Sequence, residues 1–141
     1  MRVNFYNDIE DSRHQFAVII ATIDGKYIFC KHKQRTTLEI PGGHREEGEA
    51  IDDTAKRELY EETGATEYEI KPLFSYGVED SGTETFGRLY LAYVKSMEKQ
   101  LDFEMEHVFV LKELPPIENW TYPIIQYELI AEAKRRKFID F

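Results

Sequence analysis

The sequence predicts an α/β chain of the α+β kind, a three-layer α/β/α sandwich on a mixed sheet. Three observations predict it. "FAVIIATI" (Phe16–Ile23) is β-branched and apolar on both faces, as a strand covered on both sides must be. Turn signals at Asp24-Gly25 and Ser81-Gly82 separate apolar runs and mark two hairpins. Two amphipathic helical stretches, one in the middle and one at the end, can cover the two faces.

In chain order, Phe16–Ile23 pairs across Asp24-Gly25 with "KYIFCKHK". "TTLEI" (Thr36–Ile40) reads as a short strand stopped by a Pro41-Gly42-Gly43 turn. A helix follows from about Glu49 to Thr63, with Gly64 as its stop signal. "YEIKPLFSYGV" and "FGRLYLAYV" flank the polar "EDSGTET". In the second of these runs, Leu89, Leu91 and Tyr93 alternate with Tyr90, Ala92 and Val94, so both faces should be covered. "HVFVLKEL" is a further strand running into Pro115-Pro116. The closing helix takes Thr121 as N-cap and Pro123 in its first turn, with Ile125, Leu129 and Ile130 as its apolar stripe. Neither repeats nor linkers interrupt the pattern, so residues 1–141 are expected to form a single domain.

Composition narrows the function classes. The net charge of −9 argues against nucleic-acid binding by charge alone, and an anionic partner would need local cations or metal ions. The basic Lys134–Lys137 run reads as a solvated helix C-terminus. Apolar runs fall short of the roughly 20 residues of a membrane span. The first residues lack a signal-peptide core, and the lone Cys30 excludes an internal disulfide. The expectation is a cytoplasmic monomer or homodimer with no membrane partner.

The acidic stretch Gly42–Ala65 is the informative one. With Ile51 at zero and roughly 100° per residue, Ala55 and Leu59 fall at about 40° and 80° and define the inward face. Glu58 and Glu62 fall within about 20° of Ile51, and Glu61 lies near the edge at about −80°. Arg57 lies off that face, and Asp52 and Asp53 belong to water. Three carboxylates turned partly inward are costly unless a cation sits among them or they become protonated. Hard oxygens clustered in this way suit Mg²⁺ or Mn²⁺. The alternative is a surface helix at the sheet edge with all three in water. Glycines in the preceding loop let backbone groups approach a ligand, and a carbonyl there can complete a metal site.

From Gly43, the chain reads Gly, five residues, Glu49, seven residues, then Arg57-Glu58-Leu59-Tyr60-Glu61-Glu62-Thr63-Gly64-Ala65. This pattern over residues 43–65 resembles the Nudix box, with Ala65 where a larger aliphatic residue is usual. The resemblance implies a Nudix-type sandwich with a mainly antiparallel sheet and a metal-dependent hydrolase of diphosphate linkages. It implies Glu58, Glu61 and Glu62 as metal ligands, and the Gly42 carbonyl as a further one. It also implies Arg57 as the residue orienting the glutamates, and Glu49 as a supporting residue acting through water or by holding Arg57. The general base is either Glu61 or an acid from a later loop, with Glu104 the candidate ahead of Glu106, Glu79 and Glu84.

Substrate clues are sparser. Arg35 could reach a phosphate, and Tyr76, Phe86 and Tyr90 could stack on a base, although exposed-turn and core roles are equally open. The compact chain looks similar to Nudix proteins that split nucleoside triphosphates, including oxidised dGTP, into monophosphate and pyrophosphate. Nucleotide sugars, dinucleoside polyphosphates and RNA 5′ ends are alternative substrates. A non-catalytic Nudix-like ligand-binding module is the rival from another class.

Overall fold

In the computed structural model, residues 1–98 and 105–141 are described. The sequence's main strand signal is realised as β2 (Phe16–Ile23), which turns through Asp24-Gly25 into β3 (Lys26–His32). Both turn residues have positive φ, 51° and 74°, which suits the twist of a two-residue hairpin. The long hairpin is β5 (Ala65–Asp80) and β6 (Thr83–Met97), antiparallel around Ser81-Gly82. Two further strands, β1 (Arg2–Tyr6) and β7 (Met105–Leu111), close the edges. The order is β1-β5-β6-β2-β3-β7, antiparallel throughout except for the parallel pair of β6 and β2.

Strand alternation sorts β2 between two cores. Ala17, Ile19 and Ala21 pack with Ile51, Ala55 and Leu59 of helix α1 (Ile51–Thr63). Val18 and Ile20 pack on the opposite face with Leu129, Ile130 and Ala133 of helix α2 (Ile125–Arg135). Successive strand side chains point to opposite faces, so an unbroken apolar run serves two helices at once. The helix α1 ends at Gly64, whose φ of 76° and N–H bond to the Tyr60 carbonyl (2.8 Å) form a left-handed cap. Among the described residues, no helix is long and apolar enough to cross a membrane.

The structure departs from the sequence expectation at five places. Thr36–Ile40 forms only isolated bridges, Leu38 to Trp120 and Glu39 to Cys30. Gly42 and Gly43, expected as a turn, instead begin strand β4 (Gly42–His44), antiparallel to β2. Their lack of side chains serves close approach, since a Cβ on Gly42 would lie 2.7 Å from the Ala17 carbonyl oxygen. Thr121 does not cap α2, because its hydroxyl bonds that of Thr37 (2.7 Å) and the helix begins four residues later. Tyr93 lies 42% exposed on the α2 face, whereas Leu89 and Leu91 on that face are covered. Strand β1 was not expected, being short, polar-rich and held by pairing with residues 75–79.

Leu59 is fully buried between α1 and the sheet. Leu59→Ala is therefore expected to cost about 2–5 kcal/mol. Urea unfolding checks this, and a loss under about 1 kcal/mol would mean that α1 does not depend on this contact.

Candidate active site

Strand β4 and helix α1 face each other, and the glycines set their spacing. A Cβ on Gly43 would fall 2.5 and 2.7 Å from the two carboxylate oxygens of Glu58, so that carboxylate occupies the space a side chain would need. The Gly42 N–H donates to Glu62 Oε1 at 2.7 Å. Ile19 donates to the Pro41 carbonyl and Arg45 donates to the Gln15 carbonyl, so the odd-numbered residues 41–45 bond β2. By antiparallel alternation, the N–H and C=O of Gly42 point away from β2, towards the Glu62 side. The backbone thus directs a carbonyl to the side where the glutamates lie.

Arg57 organises the cluster despite its position on the helical wheel. Its Nε donates to Glu49 Oε2 (2.7 Å) and Nη2 donates to Glu49 Oε1 (3.1 Å). Nη1 reaches Glu58 (2.8 Å) and both oxygens of Glu61 (3.2 Å), and Nη2 also binds the His44 carbonyl (2.9 Å). A long side chain bends onto a face from which its Cα is turned away, which the angular reading could not register. Glu49 also accepts from the Thr54 hydroxyl (2.7 Å) and the Glu46 N–H (3.1 Å). Asp52 is not simply solvated, because Tyr90 donates its hydroxyl proton to it and Arg88 lies at 3.4 Å.

The charges separate into satisfied and unsatisfied groups. Hydrogen bonds from Arg57, with help from Thr54, hold the Glu49 carboxyl down at about 2 despite partial burial. Burial pushes Glu58 up to about 7, with Arg57 opposing the rise and Glu61 adding to it. Burial pushes Glu62 up to about 9, against the Gly42 N–H and with Glu58 and Glu39 adding to the rise. Arg57 makes no bond to Glu62, so among the described residues the most buried of the three carboxylates has no positive partner. All the oxygen donors are hard, and two are raised acids that a divalent cation would ionise, so the donor set fits Mg²⁺ or Mn²⁺. Among the described residues, no three His, Cys, Asp or Glu side chains converge closely enough to chelate an ion as they stand. Arg57 draws Glu58 and Glu61 to itself, and Glu62 bonds the Gly42 N–H.

A cleft of about 300 Å³ adjoins Gly42 and Gly43, walled by Phe16, Tyr76, Tyr122 and Ile125. Phe16 packs its ring on His44 at 4.6 Å. Arg35 lies at the rim, bonded to the buried Glu39 (2.9 Å) and over the Tyr122 ring (5.7 Å). Tyr76 lines the cleft, whereas Phe86 lies under Arg13 and Tyr90 sits in the α1 core. Phe16, Glu39 and Tyr122 were not anticipated as cleft residues, because they come from three distant segments and share no motif. Glu79 and Glu84 are engaged with Arg2, Asn4 and Tyr6. Glu104 lies outside the described residues.

Residues 12–131 match the NUDIX domain profile. The chain belongs to the Nudix family. YtkD of Bacillus subtilis strain 168, provisionally named an 8-oxo-dGTP diphosphatase, is 35% identical over 98 residues, covering 69% of this chain and 61% of that protein. An ADP-ribose pyrophosphatase of the same strain is 35% identical over 103 residues, covering 68% and 55%. The chain thus spans less than two thirds of either relative. A mutant of the Bacillus subtilis pyrophosphohydrolase BsRppH superposes with a TM-score of 0.81 at 25% identity, covering 98% of this chain and 93% of that one. The Nudix fold therefore accounts for the mixed, mainly antiparallel sheet between two helices.

The Glu49 carboxyl is lowered by folding, so its contribution is complete above the unfolded pKa of about 4.3 and is lost as pH falls through about 2. Glu49→Gln should cost ~2 kcal/mol at neutral pH. In urea unfolding across pH, the gap between the two proteins should shrink below about pH 4. A gap independent of pH would mean that the Arg57 bond does not depend on the Glu49 charge.

Proposed function

We propose that this chain is a divalent-cation-dependent pyrophosphohydrolase that splits a nucleoside triphosphate, with 8-oxo-dGTP a candidate, into monophosphate and pyrophosphate. The observation that carries this reading is the largely buried Glu62 beside Glu58, without a cationic partner among the described residues and set against the Gly42-Gly43 backbone that lines the cleft. Two raised carboxyls lie where neutral side chains would be more stable, which favours a cationic occupant. The proposed unit is the whole chain, 1–141, acting in the cytoplasm as a monomer or homodimer on a small diphosphate-containing molecule.

In this reading, Glu58, Glu61, Glu62 and the Gly42 carbonyl would hold Mg²⁺ or Mn²⁺. An ion bound there would offset phosphate charge and make water a stronger nucleophile. Water adds at phosphorus, the bridging P–O bond breaks and pyrophosphate leaves. Glu61 is the in-box candidate to take the water proton, its side chain being 27% exposed against 14% for Glu58. Glu104 is the alternative base from the later loop. Arg57, anchored by Glu49, fixes the direction of Glu58 and Glu61. Arg35 exchanges Glu39 for a phosphate oxygen, and Phe16 and Tyr122 flank the base. The relatives' names support diphosphate chemistry and divide over the leaving group. Nucleotide sugars, dinucleoside polyphosphates and RNA 5′ ends therefore belong in the same test.

With Mg²⁺ or Mn²⁺ and a panel of NTPs, oxidised dNTPs, ADP-ribose, dinucleoside polyphosphates and triphosphorylated RNA, at least one substrate should turn over. EDTA should stop the reaction and excess Mg²⁺ restore it. Inertness across the panel would favour the ligand-binding module, and metal-independent cleavage would overturn the mechanism. The base assignment is read from Glu61→Gln against Glu104→Gln, the true base costing about 10²-fold or more.

Glu62 has its pKa raised by folding, so its contribution favours the folded state at low pH and turns against it as pH rises towards about 9. Metal-free protein should therefore lose stability from about pH 5 to pH 9, and Glu62→Gln should flatten that decline. The same variant should abolish turnover, and Mg²⁺ should raise Tm at pH 8 in the parent but not in the variant. Calorimetry in EDTA and in Mg²⁺ checks this. An unchanged pH profile would remove Glu62 from the buried site.

A further inference from the structure

Arg45 is one of the unspecified positions of the box, yet its side chain makes four hydrogen bonds, as many as the Glu49 carboxylate. Its Nε donates to the Glu49 carbonyl (2.7 Å). Its Nη1 donates to the carbonyls of Asp11 (2.6 Å) and His14 (3.2 Å), and its Nη2 pairs with the Asp11 carboxylate (2.8 Å). The Arg45 side chain is 21% exposed and that of Asp11 50%, so the bonds to the Glu49 and His14 carbonyls are partly buried while those to Asp11 lie at the surface. The Arg45 N–H also donates to the Gln15 carbonyl (2.9 Å), and Gln15 donates its own N–H to the Phe86 carbonyl in β6 (2.7 Å).

Glu49 is therefore gripped at both ends. Arg57 holds its carboxylate from the helix side, and Arg45 holds its carbonyl from the side of the 3-10 turn Asp11–Arg13. The loop between these grips includes Gly48, with φ of 78°, and has no side-chain N-cap on α1 to fix where the helix starts. Without Arg45, the Glu49 carboxylate would keep Arg57, and the bond from Arg57 to the His44 carbonyl would be left as the tie between this pair and β4.

We propose that Asp11 and Arg45 form a positioning relay, in which the N-terminal turn sets Glu49, Glu49 sets the Arg57 guanidinium, and Arg57 sets Glu58 and Glu61. Arg45 touches neither substrate nor metal in this scheme and acts through Glu49. Its catalytic consequence rests on the pyrophosphohydrolase reading, whereas the geometric relay does not.

Arg45→Met removes the donors and keeps the apolar stem, Arg45→Lys keeps charge but not the fork, and Asp11→Asn removes the charge of the turn. The first readout is the Arg57 Nε–H signal by NMR, which Glu49 shields in the parent protein. It should shift or broaden in Arg45→Met and recover in part in Arg45→Lys. The second is Mn²⁺ affinity by titration, expected to weaken about tenfold in Arg45→Met. With a substrate in hand, kcat should fall about tenfold or more while KM stays nearly constant, and Arg45→Met combined with Glu49→Gln should be less than additive. An unmoved Arg57 signal in folded Arg45→Met overturns the relay, as does a variant that loses Tm alone while its Mn²⁺ affinity holds. If the parent neither binds Mn²⁺ nor hydrolyses any nucleotide, the functional reading fails and the NMR arm alone decides the relay.

Discussion

The site depends on the space left by a missing side chain. At Gly43 the helix carboxylate of Glu58 lies where a Cβ would be, and at Gly42 the strand backbone presses on β2 as closely as sterics allow. A side chain at position 43 would displace the Glu58 carboxylate, and one at position 42 would push the β4 backbone off β2. The close fit removes water from Glu58 and Glu62, and the loss of water raises their pKa values. Burial, backbone hydrogen bonding and the raised carboxyl pKa values thus come from one close approach of strand and helix.

Arg57 and Glu62 divide the electrostatics between them. A guanidinium has donors enough for Glu49, Glu58 and Glu61, and its fork keeps them in a fixed relation. It does not serve Glu62, which among the described residues has a backbone N–H and no cation as its partner. A pocket neutralised throughout by arginine would be a structural ion cluster. Here one largely buried carboxylate is left outside the arginine's reach.

The regular elements were readable wherever one residue pattern had one physical outcome. The β2 run, the turns at Asp24-Gly25 and Ser81-Gly82, and the Gly64 cap each require a conformation that few alternatives satisfy. The box glutamates were readable by spacing, since i, i+3 and i+4 share a helix face. Strand β4 was not, because glycines that permit a turn equally permit close packing, and only the neighbour at Ala17 distinguishes the two. Arg57 was misplaced by an angular reading that stops at Cα. Phe16, Glu39 and Tyr122 meet only through the folded chain, and β1 exists because β5 has an edge to offer.

The parallel pairing of β2 with β6 has a consequence for how the molecule assembles. Residues 16–22 must find residues 87–93, and residues 2–6 must find residues 75–79, before the sheet between the helices is complete. Such long-range closures cost chain entropy before they return stabilisation, so they come late in folding. Helix α1 lies between those partners in the chain and can form from local contacts first. During synthesis α1 therefore emerges onto strands β2, β3 and β4, which precede it, while the β6 neighbour of β2 has still to be made. The backbone that meets Glu58 and Glu62 is present before them, and the sheet beside it is closed only when the second half of the chain arrives.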